Sequence, residues 1–220
     1  MTNSTSDAAQ STEMAPRDPL ARNVKLLGFA SLLNDISSEM IFPLLPHFVM
    51  TLLGGSRTSL GMIEGAADSL SSLLKLASGH WSDRSRSRRL FILVGYTLTA
   101  LTRPGLAAMT ASWQVAAARL VDRFGKGVRS APRDALIADS TAPSERGRAY
   151  GFNRAMDHLG ATIGPLLATA FLWFWPGELR WLFALTMIPG LCLIALIGFG
   201  LKDPPKKSWR PRNPAIRCWQ

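Results

Sequence analysis

Six apolar blocks dominate this 220-residue chain, at about 24–52, 58–79, 90–110, 113–137, 149–173 and 181–201. A helix needs ~20 residues to cross the ~30 Å hydrocarbon core of a bilayer, and each block is of that order. No strand-like alternation competes with a helical reading in any of them. Backbone polar groups inside a bilayer must be satisfied within the span itself, so such a chain is expected to be an all-α membrane protein. Composition agrees: 47% of residues are hydrophobic and 18% charged, against about 25% charged for a soluble domain. The same pattern disfavours nucleic-acid binding, which a formal net charge of +10 would otherwise suggest.

The polar residues gather at the two ends. Residues 1–23 carry 2 basic and 3 acidic side chains and lack the basic n-region and short apolar core of a signal peptide, so they read as a disordered cytoplasmic leader. Residues 202–220 carry 6 basic and 1 acidic side chains and read as a basic cytoplasmic tail, with the look of a truncated or frame-shifted end. Cys192 lies in an apolar block and Cys218 in the tail, a poor basis for a disulfide framework. In the connectors, Arg57 and Arg180 stand alone on one side. On the other are Arg17, Arg22, Lys25, Arg84, Arg86, Arg88, Arg89, Arg133, Arg146, Arg148, Lys202, Lys206 and Lys207. By the positive-inside rule, thirteen against two places both termini in the cytoplasm of a multi-pass protein of the cell (plasma or inner) membrane.

The six spans divide into 24–111 and 113–201, 88 and 89 residues, and the third helix of each set is the apolar one. At an offset of 90, Gly61-Met-Ile-Glu64 echoes Gly151-Phe-Asn-Arg154. Two three-helix repeats with a substrate path between them are one plan on which transporters are built.

Leaving aside those at the helix ends, within the blocks lie the acids Asp35, Glu39, Glu64, Asp68, Asp122 and Asp157, with the bases Lys75, Arg103, Arg119, Arg123, Lys126 and Arg154. At ~2.5–3.5 kcal/mol for each charge turned to lipid, these twelve would cost on the order of 30 kcal/mol, beyond the ~5–15 kcal/mol that holds a typical domain. They are therefore expected to face a water-filled cavity or one another. Asp35 and Glu39 share a face of the first helix. Glu64, Asp68 and Lys75 form a stripe on the second, and Arg119, Arg123 and Lys126 a stripe on the fourth, with Asp122 beside it. Asp35, Glu39, Glu64 and Asp68 are the candidates for protonation; Arg119, Asp122 and Arg123 complete the expected proton-coupling or substrate cavity. For any one residue, an inter-helix salt bridge that only holds the bundle remains an equal reading.

At residues 79–89 the sequence Gly-His-Trp-Ser-Asp-Arg-Ser-Arg-Ser-Arg-Arg resembles the G-x-L-A-D-R-x-G-R-K signature between helices 2 and 3 of the major facilitator superfamily. Gly79, Asp83, Arg84 and Arg88 match; Trp81, Arg86 and Ser87 depart from it. Val115-x-x-x-Arg119-x-x-Asp122 is similar to the helix-4 pattern whose Arg is tied to proton movement, with Asp122 and Arg123 in place of Gln and Gly. Gly151, Gly160, Gly164 and Pro165 are similar to the helix-5 antiporter motif of drug/proton exporters, with Ala168-Thr169 in place of its final Gly pair. Glycines at that spacing are expected to form a groove for a neighbouring helix, and Pro165 to kink its own.

The resemblance covers about 24–201 and implies half of a major facilitator fold: six transmembrane helices in two three-helix repeats. It implies a secondary transporter exporting a small molecule against inward proton flow, with Gly79, Asp83, Arg84 and Arg88 as a gating motif. Lipid bilayer, small-molecule substrate, protons and a C-terminal six-helix half or second copy are the implied partners, with no nucleic acid, cofactor or metal. A non-transporting truncated fragment is the alternative. A membrane-embedded enzyme is disfavoured, since His47, His80 and His158 lie apart and Gly125-Lys126-Gly127 is no phosphate loop.

Overall fold

A computed structural model describes residues 19–85 and 87–202. The rest of the expected leader and tail, with Arg17, Arg86, Lys206 and Lys207, lies outside the described residues. Among those described the chain is helical throughout, with no strand. The long helices are α1 (Arg22–Glu39), α2 (Arg57–Arg84), α3 (Arg88–Gly105), α4 (Ser112–Asp139) and α5 (Arg146–Phe174); the last apolar block forms α6 (Leu179–Leu185) and α7 (Met187–Gly200).

Two blocks expected to be continuous are broken, and proline breaks both. α1 stops at Glu39, and the chain reaches Leu52 through short 3-10, α and π turns. Pro43 and Pro46 have no N–H to return to Glu39 and Phe42, so the ladder gives way to tighter bonds such as Ile41 N to Ser38 O and Leu44 N to Ile41 O, each 3.0 Å. Pro189 likewise withholds a donor from Leu185, and α6 passes to α7 at the buried Thr186, whose hydroxyl donates to the Phe183 carbonyl at 2.6 Å. Pro104, Pro132 and Pro165 all lie within helices that carry on past them. α2 runs to Arg84, so Gly79 and Asp83 are helical rather than in a loop; Ser87 then caps α3, its Oγ accepting from Leu90 N at 3.4 Å.

α1 packs on α5, α2 on α4 and α3 on α4, while α7 lies against both α1 and α3. The seams are set by glycine. A Cβ on Gly160 would stand 2.7 Å from the Leu32 carbonyl oxygen, and one on Gly164 2.8 Å from the Glu39 Cβ, so α5 lies backbone to backbone on α1. Gly125 meets Gly95 of α3 in the same way, and Gly127 meets Ser71 and Leu74 of α2. Gly151, expected to share the α5 groove, opens instead onto empty space: nine residues before Gly160 it falls on another face of the helix. One apolar core joins Val24, Leu27, Ile92, Tyr96, Leu136, Leu193 and Ile197; another joins Ile41, Phe48, Leu106, Val115, Leu179 and Phe183.

By length and composition, Arg88–Ala108 and Leu179–Gly200 are apolar enough to cross a membrane. α1, α2, α4 and α5 carry the acids and bases that keep them outside that criterion.

Candidate functional site: two buried charge layers

The first layer is assembled by register. Glu64 and Asp68 are one turn apart on α2, Arg119 and Arg123 one turn apart on α4, and the two helices run parallel, so the pairs meet as two rungs. Arg119 grips Glu64 with both ends of its fork, Nε donating to Oε1 at 2.5 Å and Nη2 to Oε2. Arg123 Nε stands 3.0 Å from Asp68 Oδ1, and its Nη2 3.6 Å from Glu64 Oε2. Deeper in, Arg103 Nε of α3 donates to Asp122 Oδ1 at 3.1 Å and Nη1 to the Asn34 carbonyl at 2.8 Å. Asp122 Oδ2 is 3.9 Å from Arg119 Nη1.

The proline-broken end of α1 supplies the cover. Phe42 presents its ring to all three guanidinium groups, 4.0 Å from Arg119, 5.6 Å from Arg123 and 5.8 Å from Arg103. The electron-rich face of the ring adds cation–π attraction. Three bases and three acids make this layer neutral.

The second layer lies further along α1, α3, α4 and α5 and is built differently. Arg129 is buried, its guanidinium 4.1 Å from the centroid of the fully buried Tyr96 ring. Tyr96 Oη lies 3.5 Å from Ser31 Oγ, which also stands 3.5 Å from Asn153 Oδ1. Arg133 donates to Ser31 Oγ at 3.0 Å and pairs with Asp134 at 3.2 Å, and Tyr150 Oη donates to the Asp134 carbonyl at 2.8 Å. Asn153 Nδ2 reaches Asp157 Oδ2 at 3.4 Å, and Asn34 Nδ2 donates to Asp35 Oδ1 at 2.7 Å.

α1 and α4 run antiparallel, so with Arg133 at the level of Ser31, Arg129 stands one turn on, at the level of Asp35. Asp35 lies within electrostatic reach of Asp157, Arg129 and Arg103. Yet among the described residues neither Asp35 nor Arg129 makes a salt bridge, and Asp157 has only the mostly exposed Arg154, at 4.0 Å. Arg129 Nε, Asp157 Oδ1 and Asn34 Oδ1 are buried without a hydrogen-bond partner, as are Arg119 Nη1 and Arg123 Nε in the first layer, where each of those arginines nevertheless has a carboxylate within 4 Å. That is a costly state in a low-dielectric interior.

The structure thus brings Glu64, Asp68, Arg119, Asp122 and Arg123 together and holds Asp35 apart from them. Glu39 closes α1 against Gly164, within reach of Asp35, Arg103, Lys126 and Arg123. Of the four candidate carboxylates, those that pair with Arg119 and Arg123 are Glu64 and Asp68 on α2. The sequence singles out none of Arg129, Tyr96 and Asn153, and Arg133, counted above among the connector bases, lies inside α4 with its side chain turned to Ser31 and Asp134. The seven-residue step from Asp122 to Arg129 on α4 was the available signal.

At the far end of the bundle, Gly79 lets α2 approach Ala131 of α4, at 3.4 Å from a Cβ placed there. Arg88 bridges Asp83, at 3.1 Å, and Asp139 at the end of α4, while Arg84 is exposed. Pro165 sits one position beyond Gly164, inside the part of α5 pressed against α1.

Comparison with known proteins agrees with this architecture. An MFS-type transporter of Methanocaldococcus jannaschii is 35% identical over 190 residues, 86% of this chain and 47% of the relative. The multidrug resistance protein MdtH of Photorhabdus laumondii is 28% identical over 144 residues, 66% of this chain and 36% of that protein. Among solved structures, a bacterial homolog to the human lysosomal transporter Spinster, inward-facing and unoccupied, superposes with a TM-score of 0.75 at 18% identity, over 92% of this chain and 48% of that one. The chain spans about half the length of the relatives it matches. The family model described as Major Facilitator Superfamily matches residues 27–216, and with that match the chain belongs to this superfamily of membrane transporters.

Proposed function

We propose that the chain is one six-helix half of a secondary transporter that exports a small molecule by alternating access, driven by inward proton flow. The observation that carries the reading is the position of Asp68 and Lys126. Both stand near the middle of long helices, both are exposed, and Asp68 keeps 65% of its side-chain surface despite its pairing with Arg123. Charges at mid-span cost ~2.5–3.5 kcal/mol each against lipid, so they belong to a polar cavity roofed by a second six-helix unit, either further chain or a second copy.

The packing supports two three-helix repeats: exchanging α1 with α4, α2 with α5, and α3 with the α6–α7 span maps the main seams onto one another. Exposed Trp113, Trp173, Trp175 and Trp181 stand where α4 begins, α5 ends and α6 begins, as an interfacial aromatic belt would. Six spans with both termini cytoplasmic follow from the basic connectors. Export is supported by the name of the MdtH relative, and proton coupling by Asp35 and Asp157, partly buried carboxylates with no close salt bridge.

Two measurements test this. With Cys192 and Cys218 replaced by serine, an impermeant thiol reagent applied outside intact cells is expected to label Glu178→Cys and spare Ser144→Cys; the reverse pattern sinks the topology. In vesicles holding the chain with a second six-helix unit, efflux of cationic or anionic dyes is expected to require a proton gradient and to be lost on Asp35→Asn. Gradient-independent efflux refutes the coupling.

A further inference from the structure

We propose that Asp35 and Asp157 form a site for a single proton across the seam between α1 and α5, with Arg129, seated on the Tyr96 ring, as its counter-charge. The proposal rests on the proton-coupling reading above and names its site. Asp157 stands one turn before Gly160, and Gly160 is the residue that lets α5 close onto α1 at Asp35: a Cβ there would lie 2.9 Å from the Asp35 Cβ. The two carboxylates therefore share one seam and one buried layer.

The charge balance sets the stoichiometry. On α4, Arg133 donates to Asp134 and Ser31 and lies within electrostatic reach of Asp157, while the exposed Lys126 lies within reach of Asp35 and Glu39. On α3, Arg103 is committed to Asp122, and Tyr96 is neutral. On α5, Arg154 reaches Asp157 only at 4.0 Å and is 74% exposed. On α1 itself, Glu39 lies one turn beyond Asp35, and α7 brings no charged residue to the layer. Within the layer, Arg129 is the guanidinium that makes no salt bridge among the described residues; Asp35, Asp157 and Arg129 together carry one net negative charge, which one proton neutralises. Like-charged carboxylates held close in low dielectric share a proton rather than both ionise.

The unsatisfied atoms define the switch. With the proton bound as O–H on one carboxylate, Arg129 rests on Tyr96 with Nε free. When the proton leaves, Asp157 Oδ1 and Arg129 Nε, both buried and unpartnered here, are the acceptor and donor left to meet. A proton suits the layer better than a metal ion, because it is consumed in one O–H bond beside two guanidinium groups that would repel a larger cation.

The test is infrared titration of the carboxylic C=O band of the purified 220-residue chain in lipid bilayers with potassium as the only metal ion. The wild type is expected to show one titrating buried carboxyl. Asp35→Asn and Asp157→Asn are each expected to abolish it at neutral pH, because the survivor, relieved of its neighbour, ionises. Arg129→Gln is expected to hold the proton to at least about tenfold lower proton activity, and Arg129→Lys to restore the wild-type midpoint.

A band that survives intact in either carboxamide variant overturns the shared site. An unmoved midpoint in Arg129→Gln overturns the counter-charge. A band displaced by sodium makes this a metal-ion site and overturns the proposal. The absence of any titrating band in the wild type refutes proton coupling itself, a different failure. If Arg129→Gln does not fold, Tyr96→Leu decides: freed from its seat, the guanidinium falls onto the carboxylates and shifts the midpoint the opposite way, and no shift overturns its role.

Discussion

The two buried layers use the same residue types on the same helices and reach opposite states. Around Phe42, every guanidinium has a carboxylate and every carboxylate a guanidinium, in parallel rungs whose spacing matches residue for residue. Around Tyr96, the base sits on an aromatic ring while two acids go without a firm partner. A layer in which every charge has an opposite charge beside it resists change, most of all at the buried Arg103, Arg119 and Asp122, because moving any of these strands a charge. The other layer leaves Arg129, Asp35 and Asp157 without a close ion pair, which is what the proposed single-proton site requires. Structural and responsive charge are thus separated along the helices, and burial alone does not distinguish them.

The comparison breaks most visibly on single deletions. Arg103→Leu leaves Asp122 buried without its main partner and is expected to cost ~3–5 kcal/mol, with most of it recovered in the double variant Arg103→Leu/Asp122→Leu. Asp35→Asn neutralises a carboxylate with no ion pair to lose and is expected to cost less than ~1 kcal/mol. Reversible unfolding in bicelles measures both, and equal losses would erase the distinction. Next in size is Gly160→Val, which drives side-chain atoms into the Leu32 carbonyl and Asp35 and is expected to cost ~1–3 kcal/mol. It also pries open only the Tyr96 layer, so hydrogen exchange is expected to rise around Ser31–Asp35 and stay unchanged around Glu64–Asp68. Exchange that rises at both would show one cooperative layer. The smallest effect belongs to the surface: Asp83→Asn removes one partner of a mostly exposed bridge and is expected to cost ~0–1 kcal/mol while slowing the switch between access states, read as single-molecule transition rates. Unchanged rates would leave Arg88 and its acids as mere decoration.

Much of the paired layer could be read in advance. Four-residue steps at Glu64/Asp68 and at Arg119/Arg123 already imply matching stripes, and only their partnership awaited the parallel packing of α2 on α4. The motif between α2 and α3 was legible for the same reason, since its residues lie close in sequence and Asp83 meets Arg88, five positions on. The Tyr96 layer was not, because it depends on the glycine contact between Gly95 and Gly125 that draws two helices together across 30 residues. Nothing in a one-dimensional stripe says that Arg129 will find a ring before it finds an acid. The interruption after Glu39 was written in the sequence at Pro43 and Pro46, but the apolar run around them conceals it. That break is what turns Phe42 toward the arginines.

The glycine seams have a mechanical corollary. Where backbones touch, neither helix can slip a turn along the other without carbonyls colliding with Cα atoms. α1 with α5, and α2 with α4, therefore behave as two stiff planks, tied across their backs by α3 and the α6–α7 span. A solute cannot thread between the members of a plank. The Tyr96 layer lies where α4 of one plank faces α1 of the other, so a change in the angle between the planks would be felt there as a movement of Arg133 against Ser31.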